Sequence, residues 1–170
     1  MKQLRNWLVL AVLISSTVAG ATRAQQSQPP GPRMVDLKST DGTLLKATYF
    51  SAGKPGPGVL LFHQANRTRT SWDGVARQLA AAGINTVAVD GRGHGESSGT
   101  REDAIKKTPA DMEIFFQFLI SQPGVQRDVI GLAGAGSYGP ISVTALHAAG
   151  SLDTTKPDPA PTVSCAPSTS

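Results

Sequence analysis

Val129-Ile130-Gly131-Leu132-Ala133-Gly134-Ala135-Gly136-Ser137-Tyr138-Gly139 is the stretch on which the reading of this chain turns. Its first five residues are a short apolar run, the pattern of a strand buried on both faces. Ala135-Gly136-Ser137-Tyr138-Gly139 follows at once, and a plausible helix comes next. Strand, sharp turn and helix make the setting of a nucleophile elbow. Such a turn demands small residues around the serine, because larger side chains would collide with neighbouring backbone. Gly136 and Gly139 meet that demand, and Ala135 stands where the common pattern has glycine. In this setting Ser137 is lifted to the carboxyl edge of a sheet, and the Tyr138 N–H points into the site at a helix N-terminus, where an oxyanion is favoured. A Gly/Ala-rich turn with an incidental serine is the competing interpretation.

Upstream of this stretch the spacing predicts alternating strands and helices. Residues 34–38 and 44–50 read as strands joined at Asp41-Gly42, a tight-turn signal, and so as an antiparallel hairpin. Lys54-Pro55-Gly56-Pro57-Gly58 interrupts the pattern. The apolar run 59–62 predicts a buried strand. Residues 72–82 carry Val75, Ala76, Leu79, Ala80 and Ala82 at helical spacing, stopped by Gly83. Residues 86–89 predict another buried strand. Residues 109–121 predict a helix with Met112, Phe115, Phe116 and Leu119 on one face. Strands alternating with helices through short glycine-bearing loops imply an α/β fold, a mostly parallel sheet covered by helices on both faces.

Two more loops sit at strand ends. Asp90-Gly91-Arg92-Gly93-His94-Gly95-Glu96-Ser97 follows residues 86–89, and its three alternating glycines make a tightly wound loop. Zinc binding by Asp90, His94 and Glu96 is a poor fit, since structural sites want more His or Cys ligands. A phosphate loop is excluded by the absence of a Gly-Lys-Ser/Thr ending. His63-Gln64-Ala65-Asn66 follows residues 59–62, where a loop can offer a second backbone donor to the same oxyanion. Arg67 and Arg69 on this loop are expected to be solvated.

In this order, with one helix between each pair, the three loops resemble the α/β-hydrolase superfamily, in the flavour of its dienelactone-hydrolase and serine-aminopeptidase-like branches. The resemblance covers residues 34–139. It implies a partial α/β-hydrolase fold with Ser137 as nucleophile. It implies an oxyanion hole from the N–H groups of Tyr138 and Ala65, with Gln64 as the other candidate for the second donor. It gives the loop of Asp90, Arg92, Gly93, His94 and Gly95 a structural role behind the site. It implies no metal or organic cofactor. The implied partner is a small-molecule ester, lactone or peptide substrate.

The chain has 170 residues, 39% hydrophobic and 16% charged, which suits one domain. The formal charge of +4 comes from 16 basic and 12 acidic residues. Lys2, Arg5 and Arg23 lie in a segment without acids and leave 13 basic residues against 12 acidic ones, a net of +1. That gives no electrostatic footprint for nucleic acid. Residues 1–24 read as a secretory signal: Lys2 and Arg5 first, an apolar stretch over 7–18, then Ala19-Gly20-Ala21 and Thr22-Arg23-Ala24 as rival cleavage sites. The stretch is shorter than the roughly 20 residues of a spanning helix, so no stable membrane partner is expected, and an uncleaved anchor is the alternative. A secreted or periplasmic location follows. Cys165 is the one cysteine, so no intrachain disulfide forms. Residues 25–33 read as a linker and residues 34–150 as an incomplete hydrolase domain.

The resemblance orders its triad as serine, acid, histidine. The last histidine here is His147, ten residues after Ser137 on the helix leaving the elbow, and it is read as a packing or surface residue. Residues 151–170 are rich in Ser, Thr, Pro, Asp and Ala and predict a disordered, low-complexity tail without strand or helix. The composition break suggests a change of reading frame or gene model between residues 139 and 150. The expected activity is hydrolysis of ester, lactone or amide bonds through an acyl-serine, impaired here by the missing acid and histidine. The alternative is a non-catalytic secreted fragment or binding remnant. A nicotinamide-binding fold is excluded by the loop after residues 59–62, which has no Gly-x-Gly-x-x-Gly.

Overall fold

A computed structural model of the chain describes residues 28–136 and 164–166. The expected signal segment, Ser137 and Tyr138 of the elbow, and His147 lie outside the described residues. Strands β1 (Arg33–Lys38) and β2 (Leu44–Phe50) form the predicted antiparallel hairpin, with Gly42 at φ +83° in its turn. Strand β3 (Gly56–Phe62) is followed by a 3-10 turn (Arg69–Trp72) and helix α1 (Asp73–Ala81). Strand β4 (Asn85–Val89), helix α2 (Arg101–Ser121), strand β5 (Val125–Ala135) and the three-residue strand β6 (Ser164–Ala166) complete the order.

The strands make one mixed sheet in the order β1-β2-β4-β3-β5-β6. β2 runs antiparallel to β4, whereas β4, β3, β5 and β6 are mutually parallel. The continuous apolar runs of the sequence are explained by this layering. Because strand side chains alternate, Leu60 and Phe62 face one side with Val87, Val89, Leu132 and the α2 residues Met112, Phe115 and Leu119. Leu61 and Ala88 face the other side with Phe50 and the α1 residues Ala76 and Ala80. Gly58 has a packing reason: a Cβ there would lie 2.7 Å from Ile130 Cδ1 and 3.1 Å from Leu119 Cδ2.

Several sequence expectations are corrected. Helix α2 begins at Arg101, eight residues before the expected start at Pro109, and runs through that proline. Its start is set by Thr100, whose hydroxyl accepts the Asp103 N–H at 3.2 Å, with Glu102 and Asp103 suited to the positive end of the helix dipole. Val75 is not on the buried stripe of α1 and is 43% exposed; Ala76 and Ala80 carry the contact. β3 starts inside the Pro/Gly interruption, where Gly56 donates to the Gly124 carbonyl at 2.9 Å. Pro57 is tolerated because the pairing with β5 shifts register between Gly56 and Gly58. β5 also starts earlier than expected, at Val125. Within residues 151–170, from which no strand was expected, Ser164–Ala166 pairs with Ala133–Ala135. Such a pairing is a backbone ladder, which composition does not reveal.

Candidate active site

Parallel strands deliver their C-terminal loops to one edge of a sheet. Phe62 is level with Val89 on one side and Gly134 on the other. His63, Asp90 and Ala135 therefore leave the sheet side by side. His63 is buried, and both ring nitrogens are engaged: Nδ1–H donates to the Gln64 carbonyl at 2.8 Å, and Nε2 accepts the Gly91 N–H at 3.0 Å. These two bonds require the neutral ring with its hydrogen on Nδ1. Burial pushes the His63 pKa below the usual histidine value, and the nearby His94 adds to the effect. The His94 ring lies 5.1 Å away, with its Nδ1–H donating to the Arg92 carbonyl at 2.9 Å.

The Gln64 carbonyl also accepts the Arg67 N–H at 2.8 Å, closing a turn over residues 64–67. A trans peptide is planar, with its C=O and N–H opposed. Holding the Gln64 carbonyl toward His63 and Arg67 therefore aims the Ala65 N–H the other way. Ala65 and Asn66 are exposed. Gln64 lies against the end of β5: a Cβ on Gly136, which has φ +65°, would be 3.1 Å from Gln64 Cγ. The loop after β3 thus abuts the residue that precedes Ser137 in the chain.

Asp90 organises the second loop. It is fully buried, and its carboxylate accepts the Arg69 N–H at 2.7 Å, the Glu96 N–H at 3.0 Å and the Arg69 guanidinium. Gly95, at φ +54°, lies so close that a Cβ there would run into this carboxylate. Arg69 also donates to Glu96 and, from Nε, to Thr48 Oγ1 at 3.1 Å. The expectation of a solvated Arg69 is corrected: it is 4% exposed, because Asp90 at the end of the neighbouring strand gives its charge a buried partner. Burial alone would lower the Arg69 pKa, but its bonds and charge interactions with Glu96 and Asp90 outweigh that and raise it.

Arg92 is held from two sides, by helix α2 and by the β1–β2 turn. Its Nε and Nη2 donate to both oxygens of Asp111 on α2, at 2.9 and 2.8 Å. It also reaches Asp41 and Thr43 in the β1–β2 turn. Its bonds to Asp111 outweigh the opposing effect of burial and raise its pKa further, and its grip holds the Asp41 carboxyl well below the usual range. A cavity between His63, Arg92, Asp111 and Phe115 measures about 10 Å³, room for one water and no substrate.

Of the residues expected at the site, His63, Gln64 and Ala65 stand together on one loop. Asp90, Arg92, Gly93, His94 and Gly95 form the loop beside it. Ser137 and Tyr138 lie outside the described residues. Sequence reasoning missed the parts played by Arg69, Asp111 and Asp41, whose partners are distant in the chain. Among the described residues no group of three or more His, Cys, Asp or Glu side chains is placed to hold a metal ion. No helix among them is long and apolar enough to cross a membrane.

The strand order, the antiparallel second strand and the two described loops on one edge define an α/β-hydrolase fold. The chain belongs to the serine aminopeptidase S33 family, whose family model matches residues 53–159, more than half of its length. It is 27% identical over 116 residues to a thiohydrolase of Aspergillus aculeatus, a match spanning 65% of this chain and 36% of that protein. Its fold is similar to an alpha/beta hydrolase from Penicillium, with TM-score 0.62 and 21% identity over 68% of this chain and 41% of the other. It is also similar to an esterase of Pyrococcus furiosus, with TM-score 0.58 and 22% identity over 68% of this chain and 47% of the other. The chain therefore spans less than half the length of these relatives.

Proposed function

We propose that this chain carries the nucleophile half of a serine hydrolase acting on ester, lactone or amide bonds through an acyl-serine intermediate. Ser137 Oγ attacks the carbonyl carbon as its proton passes to solvent, and the oxyanion is met by the N–H groups of Tyr138 and Ala65. Its collapse breaks the bond to the alcohol or amine, which leaves protonated by solvent; water then releases the acid from the acyl-serine. The observation that carries this reading is the Gln64–Ala65 peptide, whose carbonyl is tied inward at the strand end beside Gly136 and whose N–H is thereby left to point outward. Family membership and the likeness to a thiohydrolase support hydrolase chemistry. Residues 1–24 support export to the periplasm or outside the cell.

Turnover by this chain is proposed to be slow. The two described histidines are committed to backbone bonds, His63 through both nitrogens and His94 through Nδ1. Among the described residues no histidine serves as the general base that acylation and deacylation both need, so both steps are slow. The same observation favours the second reading, a non-catalytic remnant. Incubation with p-nitrophenyl acetate, followed by peptide mass spectrometry, tests both. An acetyl group on Ser137 with slow release supports the hydrolase reading; a folded chain without a Ser137 adduct contradicts it and leaves the remnant.

A further inference from the structure

We propose that Arg69 is the positioning residue of the oxyanion loop, clamping residues 63–68 so that the Ala65 N–H keeps its outward aim. This rests on Ser137 being the nucleophile that the loop serves. Arg69 is 4% exposed, whereas Ala65, Asn66, Arg67 and Thr70 around it are all exposed. A cation drawn inward from a polar surface loop has a specific partner set, and here that set spans three other parts of the fold. Nε bonds Thr48 on β2, Nη1 bonds Asp90 at the end of β4, and Nη2 bonds Glu96 in the glycine-rich loop. The Arg69 main chain is fixed to the same Asp90 carboxylate through its own N–H.

The loop is thus fixed at both ends to the loop after β4. His63 Nε2 accepts the Gly91 N–H at the near end, and Arg69 engages Asp90 and Glu96 at the far end. Between them the turn over residues 64–67 has one internal bond, from the Arg67 N–H to the Gln64 carbonyl. Releasing the far end frees the Gln64–Ala65 peptide to rotate, because rotation there costs only the two bonds that the Gln64 carbonyl accepts, from the Arg67 N–H and from His63 Nδ1–H. Only a planar fork reaches Thr48, Asp90 and Glu96 at once; a lysine ammonium would keep the charge beside Asp90 and lose the three-way span. That difference separates positioning from simple charge neutralisation.

Arg69→Lys and Glu96→Gln in the full chain, each against the unaltered protein, test the proposal by amide hydrogen exchange and by the rate of fluorophosphonate labelling at Ser137. In Arg69→Lys, exchange at the Arg67 and Gly91 N–H groups is expected to rise at least about tenfold while β3 and β4 core amides stay within about twofold. Labelling per folded molecule is expected to slow about tenfold. Loop exchange or labelling within twofold of the unaltered chain overturns the proposal, as does a uniform rise across core and loop. Should Arg69→Lys not fold, Glu96→Gln decides: its carboxylate is largely exposed, and a local rise of about threefold in loop exchange is expected, no rise being refutation. An unaltered chain that folds but does not label overturns the Ser137 reading and the catalytic purpose of the clamp together, whatever the exchange pattern.

Discussion

Replacing Arg92 by methionine should be among the most damaging single changes away from the candidate nucleophile. Methionine roughly keeps the length and packing of the side chain but removes the guanidinium that donates to both oxygens of Asp111 at 2.9 and 2.8 Å. The side chains of the pair are 4% and 5% exposed, so Asp111 would be left as a buried carboxylate with Ser39, at 2.5 Å, as its remaining side-chain hydrogen-bond partner. Removing one partner of a buried pair costs about 3–5 kcal/mol, against total stabilities of about 5–15 kcal/mol for a domain. Urea unfolding followed by circular dichroism measures the loss directly. The double variant Arg92→Met with Asp111→Leu supplies the control, because an apolar pair of similar volume is often about as stable as the ion pair it replaces. It should recover most of the loss, while the more exposed Asp41 turns to water. A single variant costing under about 1 kcal/mol, or a double variant no more stable than the single, would refute the buried-pair explanation.

Three further outcomes are expected. Gly95→Ala places a methyl group against the Asp90 carboxylate at a positive φ, and should lower stability by about 1–3 kcal/mol in a thermal melt. Leu60→Ala, at a fully buried central position, should cost about 3–5 kcal/mol in urea unfolding. The lowered His63 pKa means that the unfolded chain binds a proton which the folded chain refuses. Stability should therefore fall as pH drops below about 6.5 toward the folded value. His63→Asn should flatten that dependence when unfolding midpoints at pH 7.5 and 5.5 are compared, and an unchanged slope would speak against it.

The elements that position the site were legible wherever a local rule governs them. Asp41-Gly42 marked the hairpin, Gly83 marked the end of α1, and the apolar runs at 59–62, 86–89 and 129–133 marked the parallel strands. The misreadings have physical causes. Pro109 fits the first turn of a helix so well that it concealed the Thr100 cap nine residues before the expected start. Val75 lies at helical spacing, but its direction is set by how α1 sits on the sheet. Arg69 looked like a solvated loop charge because its partners are 21 and 27 residues away, and proximity across a parallel sheet leaves no mark in local sequence. For the same reason the part of Asp111 in holding Arg92 could not be read from a helix that otherwise announces only its apolar face.

Ser137 itself gives the most direct measurement. The folded chain and its Ser137→Ala variant should be incubated with a fluorophosphonate probe at matched concentration, with the adduct located by peptide mass spectrometry. The hydrolase reading predicts one probe per molecule, on Ser137, absent from the variant and from heat-denatured protein. Equal labelling of the variant, or a folded chain that takes up no probe, would contradict it.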